Sequence, residues 1–298
     1  MRRRSFLRSS SFVAFAAAAP SAFLAACDGS ALDLAGASPS GSGGAVALTL
    51  GSVERAFAAD GASAEIAFEL DEVLLFDAEG RPLSSLGNAE GPGALNGPRA
   101  VAFAADGTVW VLDGGGHRVL RFARDGAVLA DSAAAGSTLI GPVAIAAGGD
   151  GTLWVADALA GAVLRLNASG ALIASHELPG RVAEPERHPR ALAASGDRLF
   201  VVVGGRPSVE AWSLAGERVA VLVDDALVLP ASIAATRDGR FFVVDRGTWT
   251  LRSYSAGGRL LAAEQPRLDG RVAVPLSVAI TSEGDAWVVT SEGPTLPA

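Results

Sequence analysis

One phrase of sequence returns along the chain at intervals of roughly 45 residues, and this period limits the fold more than any other feature. The phrase is clearest from Gly97 to Leu129, where three short apolar runs are each closed by a turn signal and a weaker fourth run follows Gly126. Short apolar runs separated by Gly-containing turns predict four antiparallel strands joined as a meander. The chain is therefore expected to repeat one small four-stranded sheet.

The copies align on the aromatic residue of the second strand, with offsets of 44, 46, 42 and 45 residues. The aligned aromatic residues are Trp110, Trp154, Phe200, Phe242 and Trp287. An earlier, degenerate copy contains Ala64-Glu65-Ile66. These strands are apolar on both faces, as expected for blades sandwiched between neighbours in a propeller.

The repeats predict an all-β fold, a six-bladed β-propeller of four-stranded antiparallel blades. The sixth copy reaches the last residue before its own fourth strand can form. A sheet edge left open in this way would be exposed. We therefore expect the segment from Ala45 to Leu50 to join the last blade as its outer strand.

Residues 1–26 have the anatomy of an export signal, with a basic start, an apolar run and small residues before a cleavage point. The run from Arg3 to Leu7 resembles the twin-arginine export motif, which implies export in a folded state. Leu24 to Cys27 resembles the lipobox of bacterial lipoproteins, which implies cleavage before Cys27 and its lipidation. An ordinary cleaved signal with a coincidental cysteine is the alternative.

These features divide the chain into three parts, with the signal at 1–26, a Gly- and Ser-rich flexible tether at 27–44 and the propeller at 45–298. The implied location is the bacterial cell envelope, where a lipid anchor holds the domain at a membrane facing the periplasm or the cell surface. We expect a monomer there.

Charge and cysteine content exclude several functions. All 24 basic residues are arginine, so a Schiff-base lysine and a P-loop lysine are absent. Loss of the four arginines in the signal leaves 20 against 32 acidic residues, a net charge of about −12 that would repel nucleic acid. The single cysteine, Cys27, leaves no thiol for catalysis in the repeats.

The repeat resembles a known family at this point. Pro98 to Asp113, followed by Gly116-His117-Arg118, is similar to the NHL repeat over roughly residues 51 to 298. The resemblance implies six-bladed propellers that mostly bind protein, RNA or glycan, with a minority of enzymes. It also implies that His117 occupies the repeat's own histidine position, where a structural role is expected.

The loops before each first strand and after each second strand should gather on one face around the central channel. The residues expected there as ligand-binding candidates are Arg99, Asp113, Asp157, His188, Arg190, Arg206, Asp245 and Arg246. The three aspartates could hold a divalent cation together with His188. Because they recur at equivalent positions, however, hydrogen bonding within their own loops is the favoured role.

Two enzymatic alternatives remain open. In propeller lyases resembling peptidylamidoglycolate lyase, histidines from several blades hold zinc, but only His188 stands at such a position here. Gluconolactonase-like propellers use Glu, Asn and Asp on a calcium-like metal, for which Glu90 and Asn96 leave an opening. No catalytic residue, metal ligand or resident cofactor is assigned from the sequence.

The sequence thus predicts a membrane-anchored propeller that binds an envelope protein, peptide or glycan. The alternative is a metal-dependent hydrolase or lyase acting at the channel mouth.

Overall fold

The structure is a computed structural model that describes residues 55–295, with gaps at 89, 181, 185, 206, 225–226, 269–270 and 291–292. The predicted signal, the tether and the segment from Ala45 to Leu50 lie outside the described residues. Apart from one short 3-10 helix at Phe68–Leu70, the regular elements are strands joined as antiparallel meanders. The all-β prediction is therefore confirmed.

Five of the sheets have four strands each, in the order of the sequence. Blade 1 contains β1 (Arg55–Phe57), β2 (Ser63–Ala67), β3 (Glu72–Phe76) and β4 (Pro82–Leu86). Blade 2 contains β5 (Pro98–Phe103), β6 (Val109–Asp113), β7 (Arg118–Phe122) and β8 (Val128–Asp131). Blade 3 contains β9 (Pro142–Ala147), β10 (Leu153–Asp157), β11 (Ala162–Leu166) and β12 (Leu172–Glu177).

Blade 4 contains β13 (His188–Ser195), β14 (Arg198–Gly204), β15 (Ser208–Ser213) and β16 (Arg218–Asp224). Blade 5 contains β17 (Pro230–Ala235), β18 (Phe241–Asp245), β19 (Thr250–Tyr254) and β20 (Leu260–Glu264). A two-stranded hairpin of β21 (Arg267–Leu268) and β22 (Arg271–Val272) follows. The last sheet has three strands, β23 (Pro275–Ile280), β24 (Ala286–Thr290) and β25 (Gly293–Thr295).

The first strands of the six sheets form the centre of the molecule. Strands β1, β5, β9, β13, β17 and β23 contact one another in turn, and β23 also contacts β1, so the sheets close into a ring. The described residues thus build five four-stranded blades, not the six predicted. The sixth position in the ring holds the three-stranded sheet, and Ala45 to Leu50, the segment predicted to complete it, lies outside the described residues.

The second strands are buried on both faces, as the sequence predicts. Every residue of β6 and β10 is buried. Trp110 packs in one cluster with Leu153 and Val155 of the next blade. Between blades 4 and 5, the rings of Phe200 and Phe241 lie 5.0 Å apart. Since no blade can cover its own faces, burial of these side chains between neighbours is the main stabilising term of the ring.

The contact between the first and last sheets is made by aromatic and charged side chains. The rings of Phe57 and Trp287 meet edge to face at 5.9 Å, and the Arg55 guanidinium lies 5.1 Å from the Trp287 ring centre. Arg55 also pairs with the buried Glu65 at 3.6 Å. Burial lowers the pKa of Arg55 and raises the pKa of Glu65, while their mutual attraction opposes both shifts. The two sheets therefore meet in a specific contact.

Tight Asp-Gly turns join the first and second strands of blades 1, 2, 3 and 5. In blade 2, the N–H of Ala104 donates to the carbonyl of Thr108, and Gly107 has a φ of +81°. A residue with a side chain is strained at this φ, whereas glycine is not. The turn places Asp106 where it accepts hydrogen bonds from Thr108 and Arg121. The hydrogen bonds from Thr108, aided by the charge of Arg121, outweigh burial and lower the pKa of Asp106.

Candidate functional site

We use the name loop face for the end of the ring formed by the segments before the first strands and after the second strands. The register brings these segments together, because Pro142 pairs with Asp157 and Pro230 pairs with Asp245. The N–H of Ala158 donates to the carbonyl of Gly141 in the same arrangement. The face predicted from the sequence therefore exists in the fold.

The three recurring aspartates of this face are fully buried in their own loops. Asp157 accepts the backbone N–H of Ile140 at 2.7 Å and of Gly141 at 2.9 Å. The N–H of Ala160 donates to the same carboxylate at 3.0 Å. These hydrogen bonds tie the loop before β9 to the end of β10.

Asp113 and Asp245 make equivalent contacts. Asp113 accepts the backbone N–H of Asn96 at 2.8 Å and the Arg118 guanidinium at 3.0 Å. Asp245 accepts the backbone N–H of Leu229 at 2.9 Å and of Val228 at 3.1 Å. Burial on its own would raise the pKa of Asp245, but the backbone hydrogen bonds outweigh it and hold the pKa below the usual range.

Blade 4 lacks an aspartate at this position and uses a different connection. Its second strand ends in Val203 and Gly204, and Arg187 stands where the other blades have the backbone donor. The Arg187 side chain instead donates to the buried carboxylate of Glu210 at 2.6 Å. Blade 4 thus exchanges a carboxylate that binds backbone for a side-chain ion pair.

The arginines of the candidate set occupy bulges at the start of first strands. Arg99 lies between Pro98 and Ala100, where the register of β5 against β6 shifts, and Arg190 occupies the same place in β13. A bulge turns a side chain away from the regular sheet face. Arg99 is exposed and packs against Gly114, where an added Cβ would lie 2.6 Å from its side chain.

The remaining candidates are spread around the ring. His188 is half-buried, its Nδ1 lies 2.8 Å from the carbonyl of Glu186, and its ring packs over Gly204. Arg246 is exposed, and Arg206 lies outside the described residues. Among the residues that the structure describes, no three His, Cys, Asp or Glu side chains group closely enough to hold a metal ion. The aspartates and His188 therefore do not converge on one point.

The residues considered for other roles also have local partners. The His117 Nδ1 lies 3.1 Å from the carbonyl of Ile140 in the next blade, and His117 has a φ of +49°. Asn96 packs against Gly115, and Glu90 is exposed. His117 thus bridges two blades, which is a structural role of the kind expected from the repeat.

Sequence reasoning missed a set of exposed apolar side chains on the loop face, which we call the apolar rim. Its members are Ile140, Leu159, Val228, Leu229 and Trp249. Leu159 is 70% exposed and lies over Gly141, whereas Val228 lies over Gly247. Trp249 is 50% exposed, with a φ of +58°. The signal available in the sequence was the run of large apolar residues next to loop glycines.

Comparison with known proteins supports the fold. No family model and no curated protein matches the chain. Among solved structures, virginiamycin B lyase from Staphylococcus aureus is similar with a TM-score of 0.60 and 14% identity, covering 79% of this chain and 76% of that one. A streptogramin B lyase structure has a TM-score of 0.60 and 15% identity, covering 82% and 93%.

Hydrazine synthase from Kuenenia stuttgartiensis is also similar, with a TM-score of 0.57 and 13% identity over 82% of this chain and 94% of that one. These proteins share the architecture with this chain at low sequence identity, so the comparison shows that the chain is a β-propeller. Its function has to be argued from its own residues. The NHL resemblance stays a prediction. Within the described ranges, no helix has the length and apolar character needed to cross a membrane.

Proposed function

We propose that this protein is a lipid-anchored, exported propeller whose loop face binds an envelope protein, peptide or glycan. The apolar rim is the observation that carries the proposal. Large apolar side chains grouped on one exposed face commonly mark interaction surfaces. Ile140 and Leu159 lie beside blade 3, and Val228, Leu229 and Trp249 lie beside blade 5, at equivalent ends of their strands.

The chemistry of the rim favours a peptide or protein segment with apolar and acidic residues. Trp and Arg are the residue types that most often dominate binding energy at interfaces. Trp249 lies three residues from the exposed Arg246, and Arg99 is exposed on the same face. These arginines stand out in a chain that is acidic overall. Acidic groups on a partner would meet favourable charge here.

The aspartates of the loop face support binding by holding the loops in place. Asp157 and Asp245 accept hydrogen bonds from backbone N–H groups of the loops that carry the rim, and these hydrogen bonds fix those loops. Asp113 holds the loop before β5 in the same way. Loops that are already fixed lose less conformational entropy when a partner binds. The carboxylates therefore act as positioning groups beneath the binding surface.

A peptide library tests the proposal directly. Peptides displayed on phage are selected on the wild-type protein, and their dissociation constants are then measured for wild type, Trp249→Ala and Leu172→Ala. Leu172 is exposed on the outer strand β12, outside the loop face, and serves as the matched control. We expect binding to weaken about 30-fold in Trp249→Ala, as for an interface hot spot, and to be unchanged in Leu172→Ala. Equal affinities for all three proteins would refute the proposal.

The second candidate is a metal-dependent hydrolase or lyase at the channel mouth, either gluconolactonase-like or peptidylamidoglycolate-lyase-like. The likeness to solved lyases and the position of His188 favour it. Metal analysis after purification without chelators separates the two candidates. Stoichiometric zinc or calcium that is lost in Asp157→Ala or His188→Ala would favour the enzyme, whereas unchanged metal content in both variants would favour binding alone.

Export, anchoring and ring closure complete the proposal. We propose that residues 1–26 direct export, that Cys27 carries the lipid, and that Ala45 to Leu50 supplies the outer strand of the three-stranded sheet. Support comes from the signal and lipobox resemblances and from the contact between β1 and β23. Metabolic labelling with a palmitate analogue should mark wild type but not Cys27→Ala. Deletion of residues 45–50 should lower the melting temperature because it leaves a sheet edge open.

A further inference from the structure

The end of the ring opposite the loop face, which we call the far end, carries a second set of apolar side chains. In an antiparallel meander, the turn between the third and fourth strands lies at the same end as the turn between the first and second strands. In blade 1 these two turns touch, since a Cβ added to Gly61 would lie 2.8 Å from the Ala78 side chain. The fourth strand of each four-stranded blade therefore begins at the far end.

The second residue of each of these fourth strands is bulged and apolar. In blade 3, Leu172 and Ala174 pair with consecutive residues of β11, which leaves Ile173 between them as the extra residue. The register of the fourth strand shifts at the same place in all five four-stranded blades. The bulged residues, which we call the outer ring, are Leu83, Leu129, Ile173, Val219 and Leu261.

The members of the outer ring are large and apolar, yet their exposed fractions lie between 46% and 63%. Each lies on a sheet edge, where natural proteins usually place charged side chains or proline. The bulge also turns each side chain out of the regular sheet face. An exposed apolar residue at the same bulge in five blades indicates that another surface covers the outer ring.

The outer strands become polar towards the loop face. Nearer to that face, β12 exposes Ser175 and Glu177, and β20 exposes Glu264. The members of the outer ring occupy equivalent positions in sheets that close into a ring, so they lie at the same level along its axis. The outer ring therefore fits a flat and extended apolar partner, which is the property of a lipid bilayer.

The charges at the far end are compatible with a membrane surface. Three carboxylates of the turns between first and second strands form ion pairs with arginines from third strands or from the turns that follow them. The pairs are Asp60 with Arg124, Asp106 with Arg121, and Asp150 with Arg165. Anionic headgroups repel unpaired carboxylates, and these ion pairs reduce that repulsion.

The chain that precedes the described residues links the far end to a membrane. On the ring closure proposed above, the segment from Ala45 to Leu50 runs antiparallel to β25 and begins at the far end. Residues 28–44 then leave the ring at this end, and a Gly-rich chain of 17 residues spans roughly 23 Å. We propose that the outer ring rests on the bilayer that holds the lipid of Cys27, with the loop face turned away from the membrane. This orientation rests on the proposed anchor and leaves the loop face open to its partner.

A dye placed at either end of the ring tests the orientation. The full chain with Ile173→Cys or Val182→Cys is labelled with a polarity-sensitive thiol dye and reconstituted on vesicles of phosphatidylethanolamine and phosphatidylglycerol. Val182 is the matched control, since it is 95% exposed in the segment before β13 on the loop face. We expect the emission of the dye at position 173 to shift to shorter wavelength and to be quenched by lipids with a nitroxide in the acyl chain. The dye at position 182 should do neither.

Wild type taken through the same labelling separates the orientation from the anchor. Cys27 is the single cysteine, and a lipidated thiol takes no dye. Dye on wild type would refute the anchor alone. The two labelled positions are then compared in a Cys27→Ser chain with excess vesicles, where the dye at position 173 should still respond.

Substitutions in the outer ring test the side chains themselves. Leu83→Ser combined with Leu129→Ser should lower the ratio of lipid-quenched to unquenched dye at position 173 at least about 10-fold, because two apolar side chains are lost from the contact. Both leucines are about half exposed, so the urea unfolding midpoint should stay close to that of wild type. Val182→Ser should leave the quenching ratio unchanged.

Three results would overturn the proposal. They are no response at position 173 on vesicles, equal responses at positions 173 and 182, and a response at position 173 that grows with protein concentration in the absence of lipid. The last result would show that a second copy of the chain covers the outer ring. Each of them leaves peptide binding at the apolar rim unaffected, because the rim lies at the other end of the ring.

Discussion

Replacement of Asp157 tests whether the recurring aspartates stabilise their loops or form part of a metal-binding site. Asp157→Ala removes the acceptor of three backbone N–H groups, those of Ile140, Gly141 and Ala160. Each hydrogen bond to a charged group contributes roughly 1.5 to 3 kcal/mol, and water can reach part of the opened loop. We therefore expect the free energy of unfolding to fall by about 3 to 4 kcal/mol.

Urea denaturation followed by fluorescence measures this change, with the m-value as a check that the unfolding transition is unaltered. Asp125→Ala is the control, since Asp125 is exposed and its carboxylate accepts the backbone N–H of Ala127 at 3.1 Å. Its effect should stay below about 0.5 kcal/mol, as for surface substitutions. Equal effects of the two variants would refute the loop-holding role. A rise in melting temperature with calcium or zinc that only Asp157→Ala abolishes would support the metal site instead.

Three further predictions concern pH, backbone approach and the loop carboxylates. Burial, with a smaller contribution from Arg165, lowers the pKa of His176. The free energy of unfolding should therefore be highest above about pH 6.5 and should decline as pH falls towards the folded-state pKa. Urea denaturation of His176→Gln across this range should show a free energy of unfolding that lacks this part of the pH dependence. Gly258→Ala should destabilise the fold by about 2 kcal/mol or more, because the new Cβ would collide with the Leu222 carbonyl oxygen. In Gly151→Ala the new Cβ would meet open space, so only the positive φ should cost stability, about 1 kcal/mol. Similar denaturation midpoints for the two variants would contradict this prediction. Because the pKa of Asp245 is lowered, its carboxylate should stabilise the fold above about pH 4, and this contribution should be lost as pH falls through the folded-state pKa. In acid-unfolding experiments, the free energy of unfolding of Asp245→Asn should therefore fall less steeply with decreasing pH.

The strand pattern could be predicted from sequence because it depends on local and repeated features. Proline opens the first strands at Pro98, Pro142 and Pro230, where a missing backbone donor is tolerated, and the Gly-containing turns close the hairpins as the sequence predicts. The degenerate segment Ala64-Glu65-Ile66 is indeed a second strand, in β2. The repeat period and the turn residues are set within one blade, so they can be recognised in the sequence.

The candidate site was less predictable because its parts come from different blades. The three recurring aspartates accept backbone N–H groups of their own loops, which is the role that their repetition favours. The bulges that reorient Arg99 and Arg190 depend on register, which single residues do not reveal. The Arg187–Glu210 pair joins positions 23 residues apart, and nothing in the local sequence connects them.

Hydrogen–deuterium exchange of the protein with and without a selected peptide shows where the peptide binds. We expect slower exchange in the segments that carry the apolar rim, around Ile140, Leu159, Leu229 and Trp249, with no change on the outer strands β8, β12 and β20. Protection confined to those outer strands, with the rim segments unchanged, would contradict it.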